Sequence, residues 1–175
     1  MNKPAYALDG DSFVIDNYDK AATFSSFLPG IAGVQGIPLW VYYCSRGQGV
    51  HSLGVHHKGN AIMEFNPANT AYENVALKGF RTFLRISGAF YEPFSPLSDS
   101  ARRMVIDRNL LRIEDINHTL GVKTTVTYFV LPEEPIGALA RRVSVENLGE
   151  QSISLEALDG LPRVLPYGLQ LDAYK

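Results

Sequence analysis

The feature that most constrains this chain is a train of short segments in which apolar and polar residues alternate. Leu139-Ala140-Arg141-Arg142-Val143-Ser144-Val145-Glu146 sets Leu139, Val143 and Val145 on one face and Arg142, Ser144 and Glu146 on the other. A two-residue period is what a strand with one buried face needs, because successive side chains point to opposite sides of a sheet. Asn147-Leu148-Gly149-Glu150 supplies a turn. Residues 151–157 then alternate again, with Ile153, Leu155 and Ala157 opposite Ser152, Ser154 and Glu156. The two runs read as a hairpin. Residues 122–130 are rich in Val, Thr, Tyr and Phe, which suit a pleated sheet. Residues 110–116 set Leu111 and Ile113 against Arg112 and Glu114, and Asn117-His118-Thr119-Leu120-Gly121 turns the chain between these two runs. Residues 80–86 place Phe80, Thr82, Leu84 and Ile86 opposite Arg81 and Arg85, and residues 102–107 make a shorter strand. Strands recurring at roughly 8–12-residue spacing predict a mainly β chain, an antiparallel β-sandwich.

Residues 66–79 depart from this pattern. Asn66-Pro67 followed by Ala-Asn-Thr-Ala-Tyr-Glu-Asn-Val-Ala-Leu-Lys and Gly79 reads as a short helix with an Asn cap and Pro first. Asn69, Thr70 and Asn74 weaken that reading, and an extended connection fits equally well. No internal repeat, low-complexity segment or interdomain linker is visible, so residues 1–175 read as a single domain. The shaped loop at residues 159–168 is followed closely by the last residue, so residues 161–175 read as the truncated tail of a longer protein.

Residues 24–49 concentrate the unusual chemistry. Gly30, Gly33 and Gly36 lead into an apolar strand, residues 38–44, that carries the only tryptophan, Trp40, and the only cysteine, Cys44. That strand is apolar on both faces, which predicts a central or doubly covered position. Cys44, on the most apolar strand, reads as a buried unpaired thiol. The glycine loop could approach a ligand backbone-first, or serve only as a turn; it is neither a Walker motif nor a dinucleotide fingerprint. Arg46 and Gln48 sit among glycines at the turn after the strand, where polar side chains can contact sugar hydroxyls or merely face water. Trp40, Tyr42 and Tyr43 could form a stacking platform for a sugar, or fill a core.

Composition narrows the function classes. A net charge of −2 provides no broad basic field for nucleic acid or an anionic membrane. No apolar run approaches the roughly 20 residues that span a bilayer, and the first residues lack the apolar core of a signal peptide. Cytoplasmic residence follows, and the Asn117-His118-Thr119 sequon then carries little meaning. The histidines are His51, His56, His57 and His118; adjacent His56 and His57 point apart on a strand, so no metal site is expected. His56 or His57 with Glu64 could supply the acid and base of an aldose-epimerase-like enzyme. Arg102-Arg103 and Arg141-Arg142 read as solvated or paired surface charges.

Phe13-Val14-Ile15-Asp16-Asn17-Tyr18, then Phe-Ser-Ser-Phe-Leu-Pro-Gly-Ile-Ala-Gly, Gly-Ile-Pro-Leu-Trp-Val, Arg-Gly-Gln-Gly, Ile-Met-Glu-Phe, Pro-Ala-Asn, Gly-Phe-Arg-Thr-Phe and Asp-Gly-Leu-Pro-Arg occur in that order. This series resembles the amino-terminal region of cellobiose-phosphorylase-like proteins, relatives of the inverting β-glucoside and β-glucan phosphorylases. The resemblance runs over roughly residues 12–168. It implies a galactose-mutarotase-type supersandwich, here incomplete, preceding a helical barrel. The barrel's carboxylic acid would protonate the leaving oxygen while inorganic phosphate, the co-substrate, attacks to release an α-sugar 1-phosphate. The sandwich would help form a homodimer and lend a loop to the partner's site for a β-linked oligosaccharide. No barrel segment is present, so no catalytic residue is carried over and the chain alone should be inactive. A free-standing carbohydrate-binding sandwich is the alternative reading. A truncated sandwich would also leave apolar surface uncovered, with self-association expected through the tail at residues 161–167 or the strand at 38–44.

Overall fold

In the computed structural model, which describes residues 3–28, 30–164 and 166, the alternating runs become strands of three antiparallel sheets. The strands are β1 (Ala5–Asp9), β2 (Ser12–Asp16), β3 (Ser25–Phe27), β4 (Leu39–Cys44), β5 (Val50–Val55), β6 (Arg81–Ile86), β7 (Ala89–Tyr91), β8 (Ala101–Ile106), β9 (Leu110–Asn117), β10 (Val122–Val130), β11 (Leu139–Asn147) and β12 (Leu155–Gly160). Among the described residues one α-helix, α1 (Ala68–Lys78), and two short 3-10 helices, Tyr18–Lys20 and Lys58–Asn60, interrupt them. A large sheet runs in the order β1-β2-β8-β9-β10-β11. Two smaller sheets, β3-β4-β5 and β12-β6-β7, pack on its inner face. The architecture is a mainly β sandwich.

The inner face follows from the alternation. Leu111 and Ile113 of β9, Val126, Tyr128 and Val130 of β10, Met104 of β8 and Ile15 of β2 meet Leu39, Val41 and Tyr43 of β4 and Val50 of β5. Further along β10, Val122 meets Leu84, Ile86 and Tyr91 of the β12-β6-β7 sheet, with Val145 and Ile153 alongside. Burial of this apolar surface is the main drive to fold. The outer face of the large sheet keeps its charges, as in the pairs Arg103–Asp16 and Lys123–Glu114.

β4 is central in its sheet and nearly all buried. Leu39, Val41 and Tyr43 face the core, while Trp40, Tyr42 and Cys44 face the layer formed by α1 and the segment before it. The 66–79 stretch is therefore helical. Its cap is Pro67 rather than Asn66; Asn66 spends its amide on His51 instead. The helix buries Ala71 and Val75, one turn apart, and that packing outweighs the weak propensity of Asn69, Thr70 and Asn74.

The hairpin expected from residues 139–157 does not form. β11 pairs with β10 over nine residues, from Val130↔Leu139 to Val122↔Asn147. β12 pairs with β6 in the opposite layer. Alternation fixes which face is buried but not which strand is the neighbour. The connection crosses layers and is held by Leu148 N–H to the Gly121 carbonyl at 2.8 Å, Asn147 Nδ2 to the Gln151 carbonyl at 2.7 Å and Ser87 N–H to the Ser154 carbonyl at 2.8 Å. Leu155 and Ala157 are accordingly exposed rather than buried.

The strand at 38–44 is central and covered on both sides, as its two apolar faces predict, so it does not offer the uncovered edge that self-association through it would need. Leu165 and Tyr167 of the expected tail lie outside the described residues. The large exposed apolar side chains of the β12-β6-β7 sheet, Phe90 and Leu158, mark a different open face.

Candidate functional site

The covering of β4 is incomplete at one end, and an aromatic groove opens there. β3 brings Phe27 opposite Tyr42, and the segment before α1 brings Phe65. The Trp40 ring meets Phe65 edge-on at 5.8 Å between centroids and Phe27 at 6.3 Å. Phe65 and Phe27 both also contact Tyr42, at 5.0 and 5.3 Å. Trp40, Phe27, Phe65 and Lys58 line a groove of about 370 Å³. The indole lies over β5 because its register partner there is Gly54, where a Cβ would collide with the ring. Tyr42 and Tyr43 are 5% and 2% exposed, so they fill packed layers, and Trp40 instead meets two phenylalanines from other segments, both edge-on.

Gln48 is not at a solvated turn tip. It is 2% exposed and occupies a polar junction of all three sheets. Its Nε2 donates to Thr82 Oγ1 at 2.9 Å, and its Oε1 accepts from Arg141 at 2.5 Å. Arg141 also holds Asp159 through two bonds, at 2.5 and 2.9 Å, and lies over the Phe80 ring at 4.7 Å. Tyr128 O–H donates to the Gln48 carbonyl at 2.9 Å. Burial opposes ionisation of Asp159, yet the hydrogen bonds from Arg141 and Thr82 hold its carboxyl below the usual carboxylate range. Arg46 is half-buried. It donates to the Ala21 carbonyl at 2.9 Å and the Ser45 carbonyl at 2.6 Å, and lines a recess with Asp19, Tyr72, Glu73 and Arg102. Trp40, Arg46 and Gln48 therefore do not share one site.

Gly30, Gly33 and Gly36 form a loop closed on its own chain. The Glu133 carboxylate accepts N–H bonds from Val34 at 2.8 Å and Gln35 at 2.9 Å, and Ala32 accepts from the Glu133 N–H at 2.7 Å. Gly33 adopts φ +79°, and a Cβ there would collide with the Glu133 carboxylate; one on Gly36 would collide with the Ala32 carbonyl. On Gly30 it would come within 2.9 Å of the Leu39 carbonyl. The backbone donors that could greet an anion are already occupied by Glu133.

A buried arginine, Arg102, carries a second polar cluster. Arg102 is 5% exposed and donates to Asp115 at 3.0 Å, Asp19 at 3.3 Å, Ser98 Oγ at 2.7 Å and the Ser95 carbonyl. Asp115, fully buried, also accepts from Tyr91 O–H and, at 2.8 Å, from the Phe94 N–H. Burial and the Asp115 charge push the Tyr91 phenol well above its usual range. The signal for both arginines was parity: Arg102 shares a face with Met104, and Arg141 with Leu139 and Val143.

His56 and His57 are exposed, and His57 Nδ1 accepts the Gly59 N–H at 3.1 Å. Glu64 lines a recess with His51 instead. His118 is exposed. Among the described residues no three His, Cys, Asp or Glu side chains converge as a metal site, and no helix is long and apolar enough to cross a membrane. Cys44 is free and fully buried, and burial pushes its thiol up to about 11.

Comparison with models of known protein families finds no match, and comparison with curated proteins finds no significant match.

Proposed function

We propose that this chain is the non-catalytic amino-terminal sandwich region of a cytoplasmic β-glucan or β-oligoglucoside phosphorylase, built on a galactose-mutarotase-like plan. The observation that carries the reading is the aromatic groove of Trp40, Phe27 and Phe65 beside Lys58. Flat apolar rings present area to the C–H faces of a sugar, and a nearby ammonium can meet its hydroxyls. The ordered motif resemblance supports the same reading independently. The chain contributes architecture, a second copy of itself as dimer partner, and a contact for β-linked glucose units. Phosphorolysis with inorganic phosphate belongs to a barrel outside this sequence.

Trp40 is the only tryptophan, so its emission reports on the groove directly. Titration with cellobiose and longer β-gluco-oligosaccharides should shift or quench that emission saturably, at millimolar concentrations, and Phe65→Ala should weaken the response about tenfold. Incubation with the same sugars and phosphate should release no sugar 1-phosphate. An emission unchanged by every oligosaccharide, with the protein folded, would remove the sugar contact from this groove. A free-standing binding module shares the groove. It is separated from the phosphorylase reading by whether extending the gene yields phosphate-dependent cleavage.

A further inference from the structure

Glu64 and Asn66, which flank Phe65, do not line the aromatic groove. They line a separate polar recess of about 210 Å³ between β5 and α1. We propose that this recess binds a small hydroxylated anion, a sugar-sized polyol carrying a phosphate or carboxylate group.

Three observations carry the assignment. The first is the helix. With Ala71 and Val75 buried, Thr70, Asn74 and Lys78 fall one turn apart on a single stripe that faces the recess. Asn and Thr are poor choices for a helix interior. Here they are half-buried against a cavity. Asn69, equally weak, is exposed off the stripe, whereas Thr70 and Asn74 turn their polar groups toward the cavity, where a ligand could use them.

The second is charge. Lys78 and Arg163 stand at the rim, exposed, and neither has an ion-pair partner among the described residues. Among the described residues Glu64 is the one carboxylate in the lining, set against the two cations. That balance favours a ligand with a negative group at the mouth.

The third is the floor. His51 is 8% exposed, and its Nε2 lies 3.2 Å from Asn66 Nδ2. Burial, with the Lys78 charge, holds its pKa below the usual histidine value, so at neutral pH it offers a hydrogen bond and no third positive charge. Imidazole, two amides and a threonine hydroxyl supply both donors and acceptors, the set that neighbouring hydroxyl groups require. The cavity is smaller than the roughly 300 Å³ at which drug-sized sites begin, which suits one ring and not a chain of them.

The test is a nuclear magnetic resonance titration of the full chain with glucuronate and with glucose 6-phosphate. Saturable shifts are expected at the amides of His51, Asn66, Asn74 and Lys78, with weaker responses to glucose alone and inorganic phosphate alone. The pair Lys78→Gln and Arg163→Gln, both at exposed positions, should weaken binding about tenfold. Asn74→Ala should raise the melting temperature, since alanine is the better helix former, and still weaken binding, a combination that a purely structural asparagine would not give. The proposal is overturned if neither anion produces saturable shifts, or if the charge pair and Asn74→Ala leave binding unchanged. It is overturned as well if inorganic phosphate binds as tightly as the sugar anions. Trp40 emission reads the other groove, so failure here is distinguishable from failure of the sugar contact.

Discussion

The two small sheets rest on the same face of the large one, yet they are held by different means. The β3-β4-β5 sheet is covered on both sides, by the main core inside and by α1 outside. The β12-β6-β7 sheet is covered on one side only; Phe90 is 71% and Leu158 70% exposed on the other. Its apolar core is small, with Leu84, Ile86, Tyr91 and Val122 as the buried members. Two arginines make up the difference, Arg102 buried and Arg141 half-buried. Arg102 and Asp115 catch Tyr91 of β7, and Arg141 catches Asp159 of β12 beside Thr82 of β6. A sheet with enough apolar area docks by packing. A sheet with little docks by polar anchors whose geometry must be complete, because a buried charge that loses its partner is costly.

The largest effect should come from breaking an anchor. Arg102→Met leaves Asp115 buried and facing only the Tyr91 hydroxyl and the Phe94 N–H. Loss of one partner from a buried pair costs about 3–5 kcal/mol. Urea unfolding should show a loss of that order. A loss below about 1 kcal/mol, the scale of a surface pair, would mean that the outer sheet does not depend on the anchor, and the contrast between the sheets would fail.

Next in size is a pair of leucine truncations. Leu39 of β4 is 6% exposed, so Leu39→Ala should cost about 2–4 kcal/mol. Leu158 of β12 lies on the open face, and Leu158→Ala should stay within about 0.5 kcal/mol. Equal costs would show that something covers β12 after all. Cys44 tests the same sheet without mutation. Its thiol is fully buried and is pushed up to about 11, so a thiol reagent at neutral pH should label it slowly in the native state and fully in denaturant. Fast native labelling would show that the α1 layer opens readily.

The sequence made these sheets legible to different degrees. β10 was readable to its ends, 122–130, because β-branched and aromatic residues run between two turn signals. β4 was readable as a central strand from its two apolar faces. The partner of β12 was not readable, since Ser152 to Glu156 alternates equally well beside β11 or beside β6. The anchors were half legible. Arg141 reads in the sequence as solvated or paired; it keeps step with Leu139 and Val143, but its partners Asp159, Gln48 and Thr82 come from three distant segments. Gln48 looked solvated because glycines surround it, and only the crossing of three sheets reveals that the turn is buried. Trp40 was visible as a candidate, whereas Phe27 and Phe65 reach it from other elements and carry no local signal. The His51 recess carries no local signal, because His51 comes from β5 and Thr70 and Asn74 from α1, where in the sequence they read only as weak helix formers.

The smallest expected effect is also the most direct comparison of the two sheets. Asp159 has a folded pKa below its unfolded value, despite burial, because Arg141 and Thr82 favour the carboxylate. A depressed carboxyl contributes stability that is fully present above its unfolded value, near 3.8, and is lost as pH falls through the folded value. Asp159 is about one-third exposed at its side chain, 34%, so solvent screens the pair and the contribution is modest. It should nonetheless be local. As pH drops below about 4, hydrogen exchange should quicken first at the amides of β12 and β6, while β4 and β5, which dock by apolar packing, keep their protection. Asp159→Asn should remove the acid sensitivity of β12 and lower its protection at neutral pH to the level the native chain reaches in acid. If β4 and β12 lose protection together at the same pH, the two sheets unfold as one unit, and polar and apolar docking are not separable in this molecule.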